Sequence, residues 1–358
     1  MNLAERIYLD HAATSPMRPE AREAMVEGML HWANPSSPHA DGRNARRQIE
    51  DARRRVGQKL NWGGHLIFTS GASEALMLAL GRAKGGPRIV SSVEHDAVLR
   101  AAPGAEVMPV DREGEFDKAW LEARLAKGDR PVVAVQHVNP ETGRKNLIGD
   151  ITHMVRGAGG MVIADCAQST GKYPLPTADM VVISAHKFGG PPGVGALLVH
   201  DIATLEPTGG QEFGYRGGTE NLPAILGFAA ALEACRQWVD EDMLAALRRM
   251  RDAIGDAGGR FVGGYGEFSG FIFPIAMPGM DARIQVMRFD MVGFSVSAGS
   301  ACASGTLKPS RVLAAFGIPE DVAKRTIRMS IGWSTTPAEI DAFTDAWVKI
   351  AAEASARA

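Results

Sequence analysis

The strongest constraint on the fold is a series of short, continuous apolar runs. They cover residues 65–69, 88–93, 105–110, 132–138, 161–166, 180–184 and 194–200. Helix-like stretches, such as residues 71–83 and 95–102, lie between several of these runs. A strand that is buried on both faces of a sheet is apolar throughout, whereas a half-exposed strand alternates. The pattern therefore predicts an α/β fold with a large, mostly parallel sheet covered by helices on both faces.

The pattern changes near residue 240, after an apolar-faced helix predicted over residues 222–239. Beyond it we predict helices over 242–256, 308–315 and 337–355 and strands over 271–276 and 325–331. A chain of 358 residues is long enough for two domains. We predict a large domain over residues 13–240 and a smaller α+β domain built from residues 1–12 and 241–358.

Composition argues against several classes of partner. The 39 basic and 41 acidic residues give a net charge of −2, which offers no attraction for nucleic acid or an anionic membrane. No apolar run approaches the ~18 residues of a membrane span, and MNLAERIYLD lacks the apolar core of a signal peptide. Three cysteines, an odd number, do not form a disulfide framework. We therefore expect a cytoplasmic protein.

Polar side chains follow five of the predicted strands, at the sheet edge where ligands bind in such folds. They are Ser70, Glu94 with His95, Asn139, Asp165 with Gln168, and His186 with Lys187. Lys187 is either a solvated lysine or a Schiff-base lysine activated by desolvation. Asp165 either caps the next helix or pairs with a protonated pyridine nitrogen. A Schiff-base lysine together with an aspartate that pairs with a pyridine nitrogen is the pattern of a pyridoxal phosphate site.

The segment Gly71-Ala72-Ser73 opens a predicted helix directly after a strand. Helix N-termini offer free N–H groups that bind phosphate, although small residues also cap helices without any ligand. Ser184 and His186 would add phosphate donors. The later segment GGPPGVG lacks the Gly-Lys-Ser/Thr of a nucleotide-binding P-loop, which argues against ATP. We predict no metal site.

Cys302 and Arg328 are candidates in the second half of the chain. Cys302 lies in SVSAGSACASGT, where almost no large side chain surrounds it, whereas Cys166 and Cys235 lie in apolar runs typical of buried thiols. This context favours a nucleophilic thiol on a flexible loop over a buried one. Arg328 lies in the alternating stretch TIRMSIG and is either a surface arginine or a bidentate clamp for a carboxylate.

Ordered motifs extend along nearly the whole chain. They are YLDHAATSP (8–16), NPSSPH (34–39), TSGASE (69–74), EH (94–95), NPETG (139–143), DCAQ (165–168), SAHK (184–187), RGGTEN (216–221), SAGSAC (297–302) and IR (327–328). This set resembles the cysteine desulfurases, in the class V aminotransferase family of fold-type I pyridoxal phosphate enzymes. The segment around Cys302, followed by LKPS (307–310), resembles the subgroup with a long cysteine loop.

The resemblance implies a role for each cofactor-binding position. Lys187 would hold pyridoxal 5′-phosphate and move protons, Asp165 would pair with the pyridine nitrogen, and His95 would stack on the ring. Gln168 would bond to the phenolic oxygen. The phosphate would be held by Ala72, Ser73, Ser184 and His186, together with Thr219, which would reach it across a dimer interface.

The resemblance also implies the reaction and the partners. Arg328 and Asn139 would bind the carboxylate region of L-cysteine, and Cys302 would take its sulfur as a persulfide, leaving L-alanine. We therefore expect a homodimer that passes sulfur to an acceptor protein, for iron–sulfur clusters or another sulfur-containing cofactor.

Four features depart from the family pattern, and one of them is the apolar stretch at residues 75–77, where a more polar stretch is usual. Pro140 stands where a second asparagine is usual, Phe213 stands where an arginine is common, and Ser73 replaces a threonine. Two other reactions stay open, namely transamination and selenocysteine lysis, as does a non-catalytic sulfur-relay protein that binds the cofactor. Transamination needs no thiol, so the setting of Cys302 argues against it.

Overall fold

The computed structural model describes residues 6–236, 239–263, 267–298 and 310–356. Cys302, the predicted sulfur acceptor, lies outside these residues. The strands are β1 (Ile7–Tyr8), β2 (His65–Thr69), β3 (Arg88–Ser91), β4 (Glu106–Met108), β5 (Val132–Gln136), β6 (Met161–Asp165), β7 (Met180–Ser184), β8 (Gly195–Val199), β9 (Arg260–Phe261), β10 (Ile272–Ala276), β11 (Phe294–Ser295), β12 (Ser297–Ala298) and β13 (Thr326–Ser330).

Helices surround these strands. They are α1 (Pro19–Leu30), α2 (Ala40–Lys59), α3 (Ala72–Arg82), α4 (Asp96–Ala101), α5 (Lys118–Leu125), α6 (Ile148–Gly157), α7 (Leu222–Glu233), α8 (Glu241–Asp256), α9 (Ala282–Met291), α10 (Arg311–Ala315), α11 (Glu320–Ala323) and α12 (Pro337–Ser355). Among these described helices, none has the combination of length and hydrophobicity that a membrane span requires.

The larger sheet has seven strands in the order β2-β8-β7-β6-β5-β3-β4. All of its strands run parallel except β8, which is antiparallel to both of its neighbours. Side chains alternate between the two faces, as in β5, where Val133 and Val135 enter one core and Val132 and Ala134 the other. The predicted fold class is confirmed, with β8 making the sheet mixed.

Helices cover both faces of this sheet, as predicted. One face packs against α1, α2, α5, α6 and α7, and the other packs against α3 and α4. Both cores consist mainly of Val, Ile, Leu and Ala. The predicted helix over 222–239 is too long, because α7 ends at Glu233.

A second, antiparallel sheet has the strand order β12-β13-β10-β9. It shares a core with α8, α9 and α12, which contribute large buried side chains such as Trp347 and Phe343. The N-terminal strand β1 pairs with β11 in this half of the chain. The division into residues 13–240 and residues 1–12 with 241–358 stays a prediction.

Candidate active site

A cavity of about 770 Å³ lies at the carboxyl ends of the parallel strands. Its lining combines the ends of β5, β6 and β7, the loops after β2 and β3, and two arginines from the C-terminal half, Arg311 and Arg328. This is the edge of an open α/β sheet at which ligands bind. The sequence places its candidate residues on several strands, and the sheet brings most of them to this cavity.

Lys187 enters the cavity from a short helical turn that follows β7. Its Nζ donates hydrogen bonds to the carbonyl oxygens of Ala12 (2.6 Å) and Ala13 (2.8 Å). Burial, together with the positive charge of Arg328, lowers the pKa of Lys187 to about 8, although the carboxylates of Asp10 and Asp165 oppose this shift. A larger share of the amine is therefore unprotonated at neutral pH, which is the form that reacts as a nucleophile or accepts a proton.

Asp165, at the end of β6, is almost completely buried in the cavity wall. Its Oδ1 accepts a hydrogen bond from the backbone N–H of Ala167 at 2.9 Å, so the side chain caps a turn and not a helix. Burial raises the pKa of Asp165, whereas the Ala167 bond and the nearby His95 and Lys187 lower it. A cationic partner in the cavity would stabilise the carboxylate.

His95 is the N-cap residue of α4, and its Nδ1 accepts a hydrogen bond from Ala97 N at 3.1 Å. Burial lowers the pKa of His95, which favours the neutral ring with its proton on Nε2. The ring therefore lines the cavity without adding a positive charge there. A neutral aromatic ring is suited to stacking on a flat ligand.

The side-chain amide of Gln168 has a hydrogen bond at its nitrogen and none at its oxygen among the described residues. Its Nε2 donates to Ala12 O at 2.8 Å, whereas its buried Oε1 has no hydrogen-bond partner among the described residues. An unpartnered buried polar atom in a cavity wall is costly unless a ligand or water completes it. The amide nitrogen carries a second hydrogen, which is the one that a phenolic oxygen would accept.

The N-terminus of α3 forms one end of the cavity. Gly71, Ala72 and Ser73 line it, and Ser184, the last residue of β7, and His186 line the same cavity. The first N–H groups of a helix lack internal partners and attract anions. His186 Nδ1 lies 3.1 Å from Thr14 Oγ1, and burial lowers the pKa of His186 to about 4. This end therefore offers neutral donors of the kind that hold a phosphate.

Arg328, on β13, is already engaged on two sides. Its guanidinium donates to Pro140 O and to Asp10 Oδ1, both at 2.9 Å. Its Nε is buried and has no partner in the described part of the chain. The ion pair with Asp10 was not anticipated from the sequence, since the two residues are far apart along the chain. A substrate carboxylate would use the remaining donor capacity of this pre-positioned group.

Two predicted residues lie outside the cavity lining. Asn139 is completely buried, and its side chain bonds to Val93 O (3.2 Å), Glu141 N (2.9 Å) and Thr142 N (2.9 Å). It holds the turn whose next residues, Pro140 and Glu141, line the cavity in its place. Thr219 is exposed and does not line the cavity of its own chain.

Glu94 is a further residue of the cavity lining, and its role was not predicted from the sequence. It is completely buried, its Oε1 accepts from the backbone N–H of Gln136 at 2.9 Å, and its Oε2 has no partner among the described residues. Burial raises the pKa of Glu94 to about 8. Its position directly before His95, after a buried strand, was the only signal in the sequence. Glu94 therefore adds a proton-bearing group to the wall.

Comparison with known proteins identifies the family to which this chain belongs. The aminotransferase class-V family model matches residues 7–343. Cysteine desulfurase IscS 1 of Archaeoglobus fulgidus is 36% identical over 365 residues, covering 93% of this chain and 94% of the relative. Among solved structures, a NifS-like protein from Rickettsia africae superposes with a TM-score of 0.87 and 28% identity, covering 96% of this chain and 99% of that one.

A further solved structure, SspA in complex with cysteine, superposes with a TM-score of 0.77 and 28% identity. The match covers 92% of this chain and 100% of that one. The family model and the curated relative thus agree over almost the whole length of the protein. The chain belongs to the aminotransferase class-V family, and within it to the cysteine desulfurases.

Proposed function

We propose that this enzyme uses pyridoxal 5′-phosphate to remove sulfur from L-cysteine, giving L-alanine and a persulfide on Cys302. The observation that carries the proposal is the meeting of Lys187 and Asp165 in one cavity that ends at the N-terminus of α3. An amine of lowered pKa, a buried carboxylate and a helix N-terminus are the three groups that bind this cofactor's aldehyde, ring nitrogen and phosphate.

The described residues fit the cofactor. Gln168 has a second amide hydrogen beside the one that bonds to Ala12 O, and it would donate this hydrogen to the phenolic oxygen, while His95 presents a neutral ring to the same cavity. Ala72, Ser73, Ser184 and His186 would hold the phosphate, and Asp165 would keep a proton on the ring nitrogen. When bound, the cofactor supplies an electron-accepting ring that stabilises negative charge at the α-carbon of the substrate.

Lys187 is the group that moves protons in this proposal. Because burial lowers the pKa of Lys187 to about 8, the free amine can accept the α-proton of the substrate near neutral pH. Arg328 would hold the substrate carboxylate. We assign Asn139 a supporting role, because its hydrogen bonds fix the turn that also presents Pro140 O to Arg328.

Cys302 would accept the sulfur atom. Its thiolate attacks the sulfur of the substrate, the carbon–sulfur bond breaks with its electron pair going to carbon, and a proton then completes alanine. Thiolate is the reactive form, and burial raises the pKa of both Cys166 and Cys235. That observation supports Cys302 over these two thiols as the acceptor.

We also propose that two copies of the chain form the working unit. Thr219 is exposed on its own chain, which leaves it available to the phosphate site of a partner. Large apolar side chains are exposed between residues 26 and 32, namely Val26, Met29, Leu30 and Trp32. A dimer interface would cover such side chains. The persulfide would then pass to an acceptor protein in the cytoplasm, for iron–sulfur clusters or another sulfur-containing cofactor.

The test is incubation of the purified holoprotein with L-cysteine and a thiol reductant. We expect alanine and sulfide in equal amounts. A keto acid would indicate transamination, pyruvate would indicate β-elimination, and a strong preference for selenocysteine would indicate a lyase. Any of these three results would overturn the proposal.

Cysteine variants separate sulfur transfer from cofactor chemistry. Cys302→Ser should retain cofactor binding and exchange of the substrate α-proton, because that step belongs to Lys187, but it should lose sulfide release and the protein persulfide. Cys166→Ser and Cys235→Ser are matched controls that should keep turnover, with packing losses of roughly 1 kcal/mol. Peptide mass mapping after one turnover locates the persulfide. Finding it on Cys166 or Cys235 would refute the assignment.

A further inference from the structure

The segment of residues 208–221, which precedes α7, is tied to α2 by two arginines. Arg46 donates to Glu220 Oε1 at 3.1 Å, and Arg53 donates from both of its terminal nitrogens to the two carboxylate oxygens of Glu212, at 2.7 and 3.0 Å. The two arginines are seven residues apart on α2 and therefore lie on the same side of the helix. One face of α2 thus holds the segment near both of its ends.

The pair between Arg53 and Glu212 is buried and connects three parts of the chain. The Glu212 side chain has no exposed surface, and it also accepts a hydrogen bond from the backbone N–H of Phe68 on β2 at 2.8 Å. The Arg53 guanidinium lies over two aromatic rings, 5.0 Å from the centroid of Phe68 and 4.8 Å from that of Phe213. A bidentate pair adds geometric specificity to the attraction of opposite charges, so it fixes Glu212 against both α2 and β2.

The backbone at Glu212 and Phe213 has an unfavourable conformation. Their φ angles are 48° and 60°, and this left-handed region is rarely adopted by two successive residues that carry side chains. Such a conformation persists only where the surrounding structure enforces it. Two backbone hydrogen bonds close the turn, from Gln211 N to Arg216 O (3.0 Å) and from Arg216 N to Gln211 O (3.3 Å). Because Glu212 lies inside this turn, its pair with Arg53 stabilises the turn.

Thr219 is exposed and lies between two residues that are held in place. On one side, Arg216 donates from Nε to Glu74 Oε1 at 3.0 Å, and Glu74 lies in the first turn of α3 and lines the cavity. On the other side, Glu220 is buried and paired with Arg46. The exposed part of the segment is therefore short and shaped within a single chain. A group that is ordered in advance loses less conformational entropy on binding than a mobile one.

We propose that Arg53 and Glu212 are positioning residues, which hold residues 208–221 in the shape that allows Thr219 to complete the phosphate site of a second copy of the chain. The proposal rests on the function proposed above, because Thr219 is assigned there to the phosphate site of the partner. Neither Arg53 nor Glu212 lines the cavity, so their effect on the cofactor passes through the segment.

The ratio of the affinities for pyridoxal phosphate and for pyridoxal reports the binding of the phosphate group alone. Absorbance titrations of the cofactor-free chain with each aldehyde measure it. We expect Thr219→Ala to lower this ratio about tenfold, the effect of one hydrogen bond, and Arg53→Met to lower it to a similar extent. Arg53→Met leaves the Glu212 carboxylate buried without a cation. The second variant therefore combines it with Glu212→Gln, which keeps an acceptor for Phe68 N.

Arg55→Met is the matched control. Arg55 lies on the same helix and also forms a bidentate pair, but its partner is Glu233 at the end of α7, outside residues 208–221. Loss of this pair removes a tie between α2 and α7 without changing the contacts of Glu212. Arg55→Met should therefore leave the affinity ratio unchanged.

Hydrogen exchange of the backbone amides is a second readout, and it needs no cofactor. The N–H groups of Gln211 and Arg216 close the turn, so in both Arg53 variants they should exchange about tenfold faster relative to the amides of β5, because the turn opens more often. Arg55→Met should not change this relative rate.

The outcomes separate this inference from the proposed function. If Thr219→Ala lowers the affinity ratio and the Arg53 variants do not, the pair only stabilises the fold and the inference is wrong. If Thr219→Ala leaves the ratio unchanged, Thr219 does not hold the phosphate and the inference is wrong as well, although alanine and sulfide would still be formed. If the wild-type protein binds no pyridoxal phosphate, the proposed function fails, and unchanged hydrogen exchange in the Arg53 variants would show separately that the pair does not hold the turn.

Discussion

At the scale of single residues, the ionisable groups of this site share one property: each is buried, and its neighbours do not fully replace the water that would stabilise its charge. Burial lowers the pKa of Lys187, Lys172 and His186 and raises that of Glu94 and Asp165. Desolvation disfavours the charged form of each group, so the amines and the imidazole lose protons more easily and the carboxyls hold theirs. Lys187 and Glu94, each with a pKa of about 8, can therefore exchange protons near neutral pH, and abstraction of an α-proton requires such a group.

The raised pKa of Glu94 can be tested through the pH dependence of the free energy of unfolding. This pKa is about 8 in the folded protein, above the usual value for an unfolded glutamate, so folding takes up a proton between about pH 5 and pH 8. The contribution of Glu94 to the free energy of unfolding therefore falls as pH rises through this window. We expect Glu94→Gln to gain stability relative to wild type by up to about 1.4 kcal/mol per pH unit.

Urea unfolding of the two proteins at pH 5.5, 6.5 and 7.5 would measure this difference. The comparison is best made as variant minus wild type, because Lys172, Lys187 and Asp165 also titrate and their contributions then cancel. A difference in unfolding free energy that is the same at all three pH values would show that Glu94 carries no proton in the folded protein.

At the scale of elements, the junction between β2 and α3 determines the phosphate end of the cavity. Gly71, the N-cap residue of α3, has φ of 151° and ψ of −178°, a region that is essentially restricted to glycine. Gly195 on β8 packs directly against it, because a Cβ there would lie 2.7 Å from Gly71 Cα. The backbone therefore turns sharply enough for the first N–H groups of α3 to face the cavity.

Replacement of Gly71 should affect both stability and ligand binding. We expect Gly71→Ala to lower the free energy of unfolding by about 1–3 kcal/mol, because alanine disfavours this backbone conformation. It should also weaken the affinity for pyridoxal phosphate, since relief of the strain moves the N-terminus of α3. Urea unfolding and an absorbance titration would measure the two effects.

The same helix offers a matched control. Gly81, in the last turn of α3, has open space around its Cβ position, so alanine fits there. Gly81→Ala should leave the cofactor affinity unchanged and raise stability by at most about 1 kcal/mol, from the higher helix propensity of alanine. Equal effects of the two substitutions on cofactor affinity would contradict the assignment of the α3 N-terminus as the phosphate site.

At the scale of the whole molecule, the proposed dimer would bring exposed residues of one chain to the phosphate site of the other. Thr219 and the apolar side chains between residues 26 and 32 are exposed on one chain. A two-fold axis would bring the same patch of both copies together and place each Thr219 near the partner's cavity. Cofactor binding and association would then stabilise each other.

Sedimentation at micromolar concentration should therefore give twice the 38.1 kDa mass of one chain. Leu30→Glu combined with Trp32→Glu should shift the protein toward the monomer and reduce cofactor affinity, because burying these carboxylates at an interface is costly. Met291→Glu is the control, because Met291 is also exposed and apolar but lies on α9. A monomer that binds a full complement of cofactor would contradict this prediction.

The sequence by itself determined the large sheet and identified most of the candidate residues that line the cavity. Strands buried on both faces are apolar throughout, so β2 (His65–Thr69) and β7 (Met180–Ser184) were predicted at their observed bounds. Helices such as α2, α5 and α9 were missed, because their polar residues outnumber the few small or apolar ones that face the core. Lys187, Asp165 and His95 were identifiable as candidates because each lies at or just after the carboxyl end of a buried strand, at the ligand-binding edge.

Only the tertiary structure decided how these residues are supported. Asp10 meets Arg328, Arg311 donates to Glu94 O, and Lys172 bonds to Lys187 O, and in each pair the residues are distant or unmarked in the sequence. Asn139 lies just after a buried strand and Asp165 at the end of the next one, yet the Asn139 side chain holds a loop and does not line the cavity. A strand pattern specifies which edge of the sheet a residue reaches. Partners and pKa values depend on packing between segments far apart in the chain, which periodicity does not encode.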